Sequence, residues 1–211
     1  MTDYKNFNLI EHPLIKKNIT ILRDVNTDGE KFRSAVSRIS VILAVDLIKN
    51  VKLKEIMVES PLEKTKGYKL ANDIVVVPVL RAGLGMVNGF LQVLPDAKIG
   101  HIGLERDEET LIPKEYYFKT PGNLKEHSVI VVDPMLATGG SASAALSFLK
   151  NRGAIKPIFT CIVAAPEGIE KLKEEHPDVN IFAAALDREL NDKGYILPGL
   201  GDAGDRTFGT L

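Results

Sequence analysis

The chain has 211 residues, 45% hydrophobic and 26% charged, with 27 Lys and Arg against 28 Asp and Glu for a formal net charge of −1. That length fits one domain whose core needs no disulfide or metal staple, and the neutral balance argues against a chain built to coat nucleic acid or anionic lipid. Its one cysteine, Cys161, excludes an intramolecular disulfide and a thiolate metal cluster.

Residues 1–20 show no apolar core behind a basic start, so no signal peptide is expected. No segment approaches the ~20 apolar residues of a membrane span, and a reduced, cytoplasmic compartment is expected. Asn18-Ile19-Thr20 matches the glycosylation triplet by chance. From Glu30 to Asn50, Phe32, Ala35, Val36, Ile39, Ile42, Leu43 and Ile48 recur at spacings of three and four, which predicts an amphipathic helix. Residues 52–70 are charged and carry Pro61 and Gly67, so short strands and turns are expected there. Four apolar runs follow: Ile74–Leu80, Val129–Val132 with its flanks, Ile158–Ala165 and Val179–Ala185. Runs without alternation predict strands covered on both faces, as in a parallel sheet. Helical spacing in Ser141–Arg152, stopped by Gly153, and a charged helix from Pro166 to Pro177 separate them. Strand and helix in alternation predict an α/β fold, with ligands beyond the carboxyl ends of the strands.

One such strand end reads Asp133-Pro134-Met135-Leu136-Ala137-Thr138-Gly139-Gly140-Ser141 before a helix. Gly139 and Gly140 let successive N–H groups point into one concavity. Thr138 and Ser141 add hydroxyls, and the helix start adds the positive end of its dipole. Asp133 can only accept, so it suits the hydroxyls of a sugar. An ordinary strand-to-helix turn with a hydroxyl cap explains one of these features and leaves the others over. The pattern points to a phosphorylated sugar. It is not a Walker loop, since no Gly-Lys-Ser/Thr follows.

This loop resembles the phosphoribosyl-pyrophosphate loop of the type I phosphoribosyltransferases. Pro134 stands where most of them carry a second acid, as in the uracil phosphoribosyltransferase branch. The resemblance covers nearly the whole chain: HPLI near His12, VPVLRAGLGMVNG over 77–89, RDEETL from Arg106, DPMLATGGS, VAAPEG over 163–168 and GYILPGLGDAGDRTFGT over 194–210. It implies a single domain of the type I phosphoribosyltransferase fold. A parallel core sheet would run over about 74–185, with a hood and base site from 1–70 and 186–211 and a flexible β-arm.

Arg81, beside Gly83 and Gly85 at a strand end, is either a surface arginine or a bidentate oxyanion clamp. The resemblance makes it the pyrophosphate ligand and places a cis peptide near Arg81-Ala82. Arg106-Asp107-Glu108-Glu109-Thr110 reads alone as a solvated turn; the resemblance puts Arg106 on a loop closing over the pyrophosphate. Glu105 stands where many bacterial members have tyrosine. Gly199-Leu200-Gly201-Asp202-Ala203-Gly204 matches the GxGxxG dinucleotide fingerprint in the wrong context, because Pro198 precedes it and no helix is expected in the seven residues left. Backbone groups in such a loop can read the flat edge of uracil. The resemblance assigns the base to Ile196, Gly201, Asp202 and Ala203, and turns Asp202 also to the ribosyl substrate, in place of the acid lost at Pro134.

His12, His101, His127 and His176 lie at no metal-ligand spacing and are expected to be structural or on the surface, and Cys161 in its apolar strand is expected to be a core residue. The implied reaction joins uracil to 5-phospho-α-D-ribose 1-diphosphate, giving UMP and pyrophosphate. The sugar diphosphate would contact Arg81, Arg106, Asp133 through Ser141, and Asp202, with Arg106, Asp133 and Asp202 in catalytic roles. Mg²⁺ would ride on the diphosphate with no direct protein ligand. The resemblance also raises GTP as an activator, with no GTP-binding motif readable, and a homodimer or larger homo-oligomer. The alternatives are transfer to another nucleobase and a non-catalytic regulator of the same fold that senses uracil nucleotides and binds RNA.

Overall fold

The apolar runs become the middle of one sheet. In the computed structural model, which describes residues 5–49, 51–106 and 113–210 (backbone only at Arg106 and Pro113), they are β4 (Asp73–Leu80), β8 (His127–Val132), β10 (Ile158–Ala164) and β11 (Ile181–Leu186). All are mutually parallel, in the order β11-β10-β8-β4. β1 (Phe7–Leu9) joins parallel to β11 at one edge, so the N-terminal segment enters the sheet as well. At the other edge β6 (His101–Arg106) runs parallel to β4, and β7 (Pro113–Lys119) returns antiparallel to β6. The two-residue strands β5 (Lys98–Ile99) and β9 (Met135–Leu136) pair with β4 and β10.

Both faces are covered, which explains the unbroken apolar runs. Alternate residues feed two cores: Ile74, Val76, Ile130 and Val132 point to one side, Val75, Val77, Val129 and Val131 to the other. The first side is packed by α1 (Pro13–Arg23), α2 (Gly29–Ile48) and α3 (Leu84–Val93). The predicted helix thus appears as α2, with Asp28 capping its Lys31 N–H at 2.8 Å and Phe32, Val36, Ile39, Leu43 and Leu47 buried. Gly89 lets α3 cross α2 closely: a Cβ there would lie 2.5 Å from the Ser37 carbonyl. The second side is packed by α4 (Gly140–Asn151) and α5 (Pro166–Glu175). Asn18, of the glycosylation triplet, is buried in α1 and bonded to the Leu14 carbonyl at 2.7 Å.

The charged stretch after α2 forms a hairpin, β2 (Leu53–Glu59) with β3 (Lys64–Leu70), exposed along nearly its whole length. The tail carries β12 (Glu189–Leu190) antiparallel to β13 (Ile196–Leu197) and then α6 (Ala203–Phe208). This short helix corrects the expectation that none follows the glycine loop. Asp202 caps it by accepting from Asp205 N–H at 2.9 Å, and Gly209, at φ +71°, ends it within seven residues. The cis peptide lies at Leu80–Arg81, one bond before the expected Arg81-Ala82. The turn begins at the last paired residue: Leu80 still faces Gly103 of β6, and Gly83 N–H already returns to the Val79 carbonyl at 2.9 Å. A second cis bond, Leu197–Pro198, was not expected.

Candidate active site

β8 delivers Asp133 to the carboxyl end of the sheet. Its N–H donates to the Thr160 carbonyl of β10 at 3.2 Å, so the loop leaves the strand clipped to its neighbour. The clip continues through Ile162 and Val163, which both donate to the Pro134 carbonyl at 3.0 Å, and through Ala165 to Leu136 at 2.9 Å. Proline can serve here because its carbonyl is used and its missing N–H is not. Asp133 is half-buried, open toward the cleft it lines, and accepts one internal hydrogen bond, from Met135 N–H at 3.1 Å. Desolvation pushes its carboxyl pKa up to about 7, only partly offset by that N–H.

The loop then turns over Gly139, whose φ of +78° is left-handed, and its carbonyl starts α4 by accepting Ser143 N–H at 2.8 Å. The N-cap Gly139 has no side chain to cap the first turn of α4, whose Gly140 N–H makes only a long bond, 3.5 Å, to Thr138 Oγ1, so this helix end can serve an anion. Gly168 of α5 lies directly beneath: a Cβ there would stand 2.5 Å from the Ala137 carbonyl. That is the physical content of the glycine in VAAPEG.

The cleft above this loop has a volume of about 460 Å³. One wall is Asp133 and Met135–Ala142, the other Ile196 and Gly201–Gly204, with Ala82, Lys193, Gly194 and Tyr195 at its margins. Of the expected residues, the structure therefore brings together Asp133, Met135, Leu136, Ala137, Thr138, Gly139, Gly140, Ser141, Ile196, Gly201, Asp202 and Ala203. Pro134 is buried behind the loop and does not line the cleft. Arg81 is exposed at the strand end, where its guanidinium reaches Asp205 at 3.2 Å, while the neighbouring Ala82 faces the cleft. The backbone of Arg106 ends β6 opposite Pro113; its side chain and residues 107–111 of the RDEETL motif lie outside the described residues.

Sequence reasoning missed Lys193 and Tyr195. They flank Gly194, at φ +79°, in a turn that Asn191 closes by accepting from Lys193 N–H at 3.0 Å and Tyr195 N–H at 2.9 Å. Asn-Asp-Lys-Gly is a readable turn signal, but nothing in it says which cavity the turn borders. Two of the histidines hold structure: His12 caps α1, and His176, buried at the end of α5, lies 3.1 Å from Ser143 Oγ of α4. Cys161 is buried, and burial raises its thiol pKa. Among the described residues, no group of three or more His, Cys, Asp or Glu side chains is gathered to hold a metal ion, and no helix is long and apolar enough to cross a membrane.

Residues 9–210 match the family model described as uracil phosphoribosyltransferase. The chain belongs to the uracil phosphoribosyltransferase family. The protein of that name from Finegoldia magna is 56% identical over 203 residues, 96% of this chain and 97% of its own. Among solved structures, the AQ2163 protein of Aquifex aeolicus superposes with a TM-score of 0.90 at 40% identity, covering 96% of this chain and 97% of its own. The adenine phosphoribosyltransferase of Trypanosoma brucei, at 14% identity and a TM-score of 0.57 over 86% of this chain and 84% of its own, shares the fold. The cleft thus lies where a parallel sheet meets the Asp133–Ser141 loop at its carboxyl end and the glycine-rich tail.

Proposed function

We propose that the protein transfers the 5-phosphoribosyl group of 5-phospho-α-D-ribose 1-diphosphate to N1 of uracil, releasing UMP and pyrophosphate. The supporting observation is a single cleft with an anion nest on one wall and a backbone-lined loop on the other. The 5-phosphate fits the N–H groups and hydroxyls of Ala137–Ser141. Asp133 takes the ribose hydroxyls. The C1′–O bond breaks with its electrons going to pyrophosphate, the N1–C1′ bond forms from the opposite face, and the N1 proton is lost. Arg81 and Arg106 stabilise the departing charge, and Asp202 borders the ribosyl carbon. Uracil lies against Ile196 and Gly201–Ala203. Positioning and electrostatics carry the catalysis, with no covalent enzyme intermediate.

Magnesium carried on the diphosphate fits this cleft, which among the described residues gathers no cluster of three or more metal-binding side chains and so leaves the ion to substrate and water oxygens. Bound with the diphosphate, the ion would supply positive charge to the leaving group. Labelled uracil mixed with the sugar diphosphate and Mg²⁺ should yield both UMP and pyrophosphate; formation of neither sinks the proposal. Cytosine, hypoxanthine and guanine as competitors test the base, and added GTP tests activation. Arg106→Ala should lower kcat by at least about tenfold with a smaller change in KM, as for a group acting on developing charge. An effect confined to KM would mean ground-state binding instead.

We place the enzyme in the cytoplasm, a setting that suits a reduced, buried Cys161, and read it as a homodimer or larger homo-oligomer. The β2–β3 hairpin supports the second point. Leu53, Met57 and Tyr68 are at least 60% exposed on it, and a lone two-stranded hairpin is marginal in water.

A further inference from the structure

Asp187 follows β11 and is buried, with only 3% of its side chain exposed. Its own N–H is tied to the sheet through the Ala164 carbonyl at 2.8 Å. Arg23, the last residue of α1, meets its carboxylate with two parallel bonds, Nη1 to Oδ2 at 2.9 Å and Nη2 to Oδ1 at 2.5 Å. The pair then takes hold of a third residue. Gly199 N–H donates to Asp187 Oδ2 at 2.8 Å, and Arg23 Nη1 donates to the Gly199 carbonyl at 3.2 Å. Both backbone groups of one glycine are thus fixed by one ion pair. Gly199 sits at φ +61°, and a Cβ there would fall 2.2 Å from the Ile196 carbonyl. The residues on either side of it, Ile196 and Gly201–Ala203, line the cleft. The next carbonyl, of Leu200, is held at 2.8 Å by Arg206, whose guanidinium stacks 4.5 Å over Phe32.

We propose that Arg23 and Asp187 are positioning residues for base selectivity: their ion pair sets the backbone of the loop that reads the nucleobase, though neither lines the cleft. A loop that selects through its own N–H and C=O groups discriminates only while those groups are held in place, because a base is rejected by leaving a fixed polar group unpaired. A bidentate guanidinium–carboxylate pair suits this task better than a lysine, since the planar fork fixes direction as well as distance. The inference rests on the tail loop being the uracil site.

The test uses the full chain, wild type and two variants, Arg23→Lys and Asp187→Asn, with Mg²⁺, the sugar diphosphate, and uracil or cytosine. KM for uracil should rise at least about tenfold, the scale of one lost charge-assisted hydrogen bond. The preference for uracil over cytosine should fall, while KM for the sugar diphosphate changes less than about twofold. Equal rises in the two KM values, or an unchanged preference for uracil, overturn the proposal. Wild type that fails to use uracil removes the functional reading itself, which separates the two failures. Should Asp187→Asn not fold, hydrogen exchange on Arg23→Lys decides. Faster exchange over 196–203, with β8 and α4 protected as in wild type, is expected. Exchange there equal to wild type overturns the proposal.

Discussion

Asp133 carries a carboxyl that titrates near neutrality, at about 7 against an ordinary 3.8, because its place at the strand end strips water from it. The native chain therefore holds this proton more tightly than the unfolded chain between those two values. The stability so gained is complete below about pH 4 and is lost as the pH rises through about 7. Asp133→Asn removes the ionisation, so the variant should gain on the wild type across that range. Urea unfolding of both proteins between about pH 4 and 8 reads this, and a difference that stays flat contradicts it. The same proton opposes substrate: a neutral carboxyl accepts hydroxyls less well than a carboxylate. Affinity for the sugar diphosphate should rise as the pH passes about 7, measured by titration calorimetry.

At the scale of elements, the Asp133–Ser141 loop rests on α5 as much as on the strand that delivers it. Gly168→Ala brings a methyl against two main-chain oxygens, those of Ala137 and Leu136, and neither is free to give way. We expect a loss of about 1–3 kcal/mol, seen as a lower Tm, and a higher KM for the sugar diphosphate at nearly unchanged KM for uracil. How much of this was legible followed element length and environment. β4, β8 and β10 announced themselves because burial on both faces leaves unbroken apolar runs, and α2 because twenty residues sample its period many times. β1 has three residues and α6 six, too few for a periodicity to register. The Asp133–Ser141 loop was readable because its chemistry is contiguous. The grip of Arg23 and Asp187 on Gly199 was not, since three chain-distant residues meet only after the tail folds back over α1. Lys193 and Tyr195 were hidden for the same reason.

For the molecule as a whole, the hairpin β2–β3 touches the first core through Leu70 at its end, while Leu53, Met57 and Tyr68 stay largely exposed among the described residues. On the homo-oligomer proposed above, a second copy of the chain would cover it. Replacing Leu53, Met57 and Tyr68 together by serine should shift the mass in solution toward the monomer, read by light scattering across a dilution series, with the fold retained by circular dichroism. An unchanged mass would send the search for the interface elsewhere. The near-zero net charge also separates the enzyme from an RNA-binding reading of the same fold. Nucleic acid should bind weakly at most, and without the steep salt dependence that phosphate contacts impose.

The sheet's rim has a consequence for how safely the protein can be concentrated. β11 contributes Ile181, Phe182, three alanines and Leu186, a strand that would recruit foreign chains if its outer row of N–H and C=O groups were free. β1 occupies that row with three residues, and only two of those three, Asn8 and Leu9, are exposed. A strand so short offers little template of its own. Phe7–Leu9 would then serve as a cover strip over Ile181–Ala183, and trimming the chain to start at Ile10 should turn a clear preparation into one that precipitates on standing.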